Sequence, residues 1–92
     1  MTGPIGRVQP VDLLTGDEGA LLLYPDRLVS ISPLGAAAYE LAENGIDLDE
    51  LARGLAERFG VPPEESLEDA TEAVVAHLVR EGVLTDRRDA AP

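Results

Sequence analysis

Up to Ile31, apolar residues fall in short runs separated by turn-forming clusters; beyond Ser32 they recur at helical spacing. The first pattern predicts strands. Val11, Leu13 and Leu14 make one candidate, followed by the turn-like cluster Thr15–Gly16–Asp17–Glu18–Gly19. Ala20–Tyr24 is a nearly unbroken apolar run suited to a central strand. Pro25–Asp26 supplies a tight turn, and Arg27–Ile31 returns as a third strand. Three short strands joined by tight turns predict an antiparallel meander.

The second pattern predicts three helices. Ser32 suits an N-cap and Pro33 the first helical position, and Leu34, Ala37, Ala38 and Leu41 then form one apolar stripe that stops at Asn44–Gly45. Asp47, with Glu50 three residues on, predicts a capped second helix whose buried face is Leu48, Leu51, Ala52, Leu55 and Phe59, closed by Gly60. After Pro62–Pro63 a third helix is expected from about Glu64 to Glu81, with Leu67, Thr71, Val74, Val75 and Leu78 inward and Gly82 ending it. The predicted class is α+β and winged helix-turn-helix-like: a three-stranded antiparallel sheet followed by a three-helix bundle, βββααα. Residues 8–84 are expected to form this domain, with residues 1–7 and 85–92, rich in Gly, Pro, Ala and mixed charge, as flexible ends.

Composition narrows the chemistry. A chain of 92 residues makes one modest core, and an aliphatic one, since Phe59, Tyr24 and Tyr39 are its only aromatics. It has no cysteine, no signal-like h-region and no apolar run long enough to span a bilayer, so a cytoplasmic location is expected. The net charge is −11. Residues 1–33 hold Arg7 and Arg27 against Asp12, Asp17, Glu18 and Asp26, a sum of −2, which leaves −9 for residues 34–92. That charge argues against nucleic acid, whose binding depends on basic residues displacing counterions. A winged helix would read DNA with its third helix, yet the opening turns of that helix carry Glu64, Glu65, Glu68, Asp69 and Glu72.

Catalysis finds no support either. His77 is the only histidine, no thiolate accompanies it to hold a metal, and no phosphate loop is present. No catalytic residue, cofactor or metal is expected. Glu65–Ser66–Leu67 is loosely like the phosphopantetheine motif of acyl carrier proteins, but only 26 residues follow Ser66 and the β-rich first third does not belong to that fold. A protein–protein adaptor working through its acidic helix faces is the other alternative.

The order of motifs carries more. Leu22–Leu41 (LLYPDRLVSISPLGAAAYEL), Asp47–Val61 (DLDELARGLAERFGV) and His77–Leu84 (HLVREGVL) together resemble the PqqD family of peptide chaperones, also called RiPP recognition elements. The resemblance covers about two-thirds of the chain. It departs at Glu43–Asn44–Gly45, where Cys-Asp-Gly is frequent, and at Ala70–Thr71, where Asp-Val is common, which points to a relative serving a product other than pyrroloquinoline quinone. The resemblance implies binding of a precursor's leader peptide and its presentation to a maturation enzyme, a radical SAM protein or a lasso-type leader peptidase and cyclase. It also implies that the leader docks as an added antiparallel strand on the third strand, against the third helix.

The residues fit that role. Arg27–Ile31 ends the meander, and an edge strand can accept an extended peptide. Leu28, Val29, Ser30 and Ile31 are the expected strand contacts. Ala70, Ala73, Val74, His77 and Arg80 are the expected helical ones, small alanines leaving room for apolar side chains and Arg80 free to meet a carboxylate. The opposite flank, with Glu72 and Val79, is the alternative. Val29→Pro is expected to abolish binding, salt to affect it weakly, and the exposed margin leaves either a monomer or an edge-paired dimer open.

Overall fold

Strand-forming and helix-forming segments separate along the chain as their periodicities require. The computed structural model describes residues 3–88, and within them the order is β1 (Ile5–Arg7), β2 (Asp12–Gly16), β3 (Gly19–Tyr24), β4 (Arg27–Ile31), α1 (Pro33–Leu41), α2 (Leu48–Phe59), α3 (Leu67–Arg80) and β5 (Leu84–Asp86). Strands β2, β3 and β4 form one antiparallel sheet in that order, and β1 pairs with β5 in a second. The α+β, βββααα architecture expected from the sequence is present, framed by a strand at each end.

Two-residue connections set the register. Gly16 pairs with Gly19 across Asp17–Glu18, and Tyr24 with Arg27 across Pro25–Asp26. The pleat then sends Ala20, Leu22 and Tyr24 of β3 and Val29 and Ile31 of β4 to the helices, where all five are buried. Gly19 is the one strand position that demands glycine: its φ is +124°, and a Cβ there would collide with the Ile31 carbonyl oxygen.

The caps fall where the sequence puts them. Ser32 Oγ accepts from Gly35 N at 3.1 Å, and Asp47 Oδ1 accepts from Glu50 N at 2.8 Å. Alignment with those amide donors holds the Asp47 carboxyl below its ordinary pKa. Helix α3, however, begins at Leu67 rather than near Glu64, because Ser66 is extended and its Oγ accepts from Asp69 N at 3.0 Å. Around Leu22, Tyr39, Leu51, Val75 and Leu78, all nearly inaccessible, the helices close on β3 and β4.

Two further expectations change. Phe59, assigned to the core, is the last residue of α2 and is 49% exposed. Ile5–Arg7 and Leu84–Asp86, the former and most of the latter assigned to flexible ends, are paired strands. Ile5 is fully buried, exchanges hydrogen bonds with Ile46 at 3.0 and 2.8 Å, and so ties the chain's start to the α1–α2 loop. Residues 1–2 and 89–92 of those expected flexible ends lie outside the described residues.

Candidate functional site

The margin of β4 is built by the hairpin that creates it. A two-residue turn closes on a hydrogen-bonded pair, here Tyr24–Arg27, and bonded pairs alternate along an antiparallel ladder. Arg27, Val29 and Ile31 therefore spend their backbone N–H and C=O groups on β3. Leu28 and Ser30 turn theirs away from it, toward the margin, where no described strand pairs with them. This corrects the role expected of Val29, whose amide belongs to the sheet's interior ladder and whose side chain is only 5% exposed.

Arg27 locks the start of this margin. Its guanidinium stacks over the Tyr24 ring at 4.4 Å, pairs with Asp26 at 3.0 Å and donates to the Gly82 carbonyl at 3.0 Å, so β4 is pinned to the end of α3. Tyr24 donates its hydroxyl to the Val8 carbonyl at 2.9 Å, and burial pushes its pKa up.

Beside the far end of β4 lies a groove of about 220 Å³ lined by Ile31, Ser32, Leu34, Gly35, Ala73, Val74, His77 and Leu78. Four of the residues expected from sequence, Ile31, Ala73, Val74 and His77, meet here. Ala70 lines a second cavity of about 300 Å³, walled also by Leu55, Phe59, Val61, Pro62, Pro63 and Leu67. The two share Leu34 and Val74, so an apolar trough runs from β4 along α3 to the α2–α3 loop.

Arg80 is exposed and lines neither cavity. The other flank of α3 faces elsewhere: Glu72 pairs with Arg88 at 2.6 Å, beyond β5. Arg88 also grips Asp86, which depresses the Asp86 carboxyl pKa and raises that of Arg88.

Sequence reasoning missed Ser32, Leu34, Gly35 and Leu78 as groove walls. The available signal was Gly35, a poor helix former inside an otherwise regular stripe. A Cβ there would stand 3.3 Å from Ile31 Cβ and 3.4 Å from Leu78 Cδ2, so its absence lets α1 close against β4 and α3. Among the described residues, no group of three or more His, Cys, Asp or Glu side chains is placed to hold a metal ion. Among the same residues, no helix is long and apolar enough to cross a membrane.

Fold and site define a small α+β domain whose sheet leaves its β4 margin open beside an apolar trough on its last helix. The family model described as Coenzyme PQQ synthesis protein D (PqqD) matches residues 19–84, a span from the first residue of β3 to the first of β5. The chain belongs to that family. Comparison with curated proteins and with solved structures gives no match.

Proposed function

We propose that this protein is a non-catalytic leader-peptide chaperone, a RiPP recognition element acting in the cytoplasm. It takes an extended leader segment onto β4 and holds the precursor for a separate maturation enzyme. One observation carries the reading: the outward N–H and C=O groups of Leu28 and Ser30 border a trough lined by Ile31, Ala73, Val74 and His77. Main-chain pairing supplies affinity for any extended peptide, and the trough supplies selection. Two N–H and two C=O groups yield about 0.5–1.5 kcal/mol net per bond, and each apolar side chain seated in the trough adds about 1.5–3 kcal/mol. Ordering the peptide costs about 2–5 kcal/mol of that gain and association costs more, so main-chain pairing alone is too weak and the side chains seated in the trough decide affinity.

Radical SAM and lasso-type enzymes are the partner classes this reading favours. Departures from the family pattern at Glu43–Asn44–Gly45 and Ala70–Thr71 favour a product other than pyrroloquinoline quinone. The test is calorimetric titration with a synthetic N-terminal segment of the short precursor encoded nearest the gene, followed by amide shift mapping. Binding that moves the Leu28, Ser30, Ala73 and His77 amides, with little dependence on salt, supports the reading. No binding, or shifts confined to the acidic starts of α2 and α3, rejects it.

A further inference from the structure

An antiparallel sheet with one face on the core ordinarily turns polar side chains to water on the other. Here the other face is leucine. Leu21 and Leu23 of β3 point away from the helices, Leu14 stands opposite Leu21, and Leu28 stands opposite Leu23. Their exposures are 68% for Leu14, 41% for Leu21, 44% for Leu23 and 63% for Leu28. With Asp12 and Leu13 they surround a shallow apolar depression of about 280 Å³. A contiguous apolar patch on a small water-soluble domain marks a contact surface.

The charge around the patch is one-signed. Asp12 lies in the depression itself, and Asp17 and Glu18 occupy the β2–β3 turn that closes one end of the face. Arg27 is the only basic residue between Val11 and Ile31, and its guanidinium is drawn off to the opposite side of the sheet by the Tyr24 ring and the Glu81 and Gly82 carbonyls. A second copy seated on this face would bring Asp12, Asp17 and Glu18 toward their own counterparts, on a chain already at −11. A strand added at β4 would lie beside the leucines and leave them uncovered.

We infer that the solvent face of the β2–β3–β4 sheet is a docking surface for a protein partner that presents apolar side chains ringed by lysine or arginine. The leucines supply the desolvated centre. The carboxylates steer a basic rim and reject acidic surfaces, this chain's own included. The inference stands on the sheet face alone and is independent of leader binding at the β4 margin.

The full chain is titrated with a helical peptide bearing a leucine stripe and lysines on its flanks, against a peptide of the same lengthwise pattern with glutamate for lysine. Binding of the lysine peptide, shifts at the Leu14, Leu21 and Leu23 amides and a steep fall with salt are expected, with no binding of the glutamate peptide. Leu21→Ser/Leu23→Ser should weaken binding at least about tenfold while melting and leader affinity stay as in wild type. Leu14→Ser, on the neighbouring strand, gives the same readout should the double variant fold poorly. Shifts confined to the acidic helix faces or the trough overturn the inference, as does wild-type binding by these variants. Sedimentation of the free protein as a dimer that Leu21→Ser/Leu23→Ser dissolves also overturns it, because the occupant is then a second copy.

Discussion

Proline at Ser30 removes the margin's chemistry with little injury to the fold. The Ser30 amide points away from β3, so its loss breaks no bond within the sheet, and proline is tolerated on an edge strand where its missing N–H would face solvent. The ring also projects from the margin where an incoming carbonyl would sit, so the bond accepted by the Ser30 carbonyl lengthens as well. Two bonds at about 0.5–1.5 kcal/mol each amount to about 1–3 kcal/mol, or roughly 5- to 150-fold in dissociation constant. Val29→Pro is the instructive contrast. It removes a donor from the interior ladder facing Leu22 and a buried side chain from the core, so the variant loses stability before it can report on binding. The assay is leader titration by calorimetry, alongside thermal melts of both variants. A Ser30→Pro protein that melts normally and binds within twofold of wild type refutes strand addition at β4.

Ala73→Trp should fill the groove beside Ile31 and His77 and cut leader affinity by an order of magnitude or more, with unchanged melting since Ala73 is exposed; undiminished binding in the same titration moves the side-chain site elsewhere. Ser32→Ala deletes the cap on Gly35 N and should cost about 1 kcal/mol, lowering the melting temperature by about 4–8 °C in a calorimetric scan. Asp47 and Asp86 both have carboxyl pKa values held below the unfolded value of about 3.9, so their stabilisation is complete above that pH and disappears as pH falls through the folded values. Denaturant midpoints should therefore drop on acidification below about pH 4, and less steeply in Asp86→Asn; a flat profile contradicts the assignment.

Local signals carried most of this fold. The turn clusters Thr15–Gly19, which the structure narrows to Asp17–Glu18 by drawing Thr15, Gly16 and Gly19 into the strands, and Pro25–Asp26, with caps at Ser32 and Asp47 and the change from strand to helix periodicity, each act over a few neighbours, and β2 to β4 and α1 to α3 follow from them. What escaped depends on distant partners. Ile5–Gly6–Arg7 has no alternation to read, and it is a strand only because Leu84–Asp86 and Ile46 supply its hydrogen bonds. The site divides the same way. Ala73 and His77 were legible as a strip of α3, but Leu34 and Gly35 join it only once α1 packs against that strip. The backbone direction of Val29 was within reach of the sequence: Pro25–Asp26 reads as a tight turn between Tyr24 and Arg27, and a two-residue turn fixes which amides face inward.

The parity that reassigns Val29 also divides an added strand into two faces. Side chains alternate along it with period two, and the β4 residues it would pair with are themselves sorted: Val29 and Ile31 inward, Leu28 and Ser30 toward the leucine face. On the leader-binding reading, every second leader residue near Ile31 faces the trough, and the residues between them extend the surface of Leu21, Leu23 and Leu28. Recognition by this chain and contact with a partner on the sheet's far side would then fall on alternate positions of one short segment. Substituting alternate leader residues separates them. One set should change affinity for this protein alone, weakly with salt. The other should leave that affinity intact and change only how the partner engages the complex, with the salt sensitivity that the Asp12, Asp17 and Glu18 rim confers. A leader whose alternate positions behave alike in both measurements is not bound as a strand.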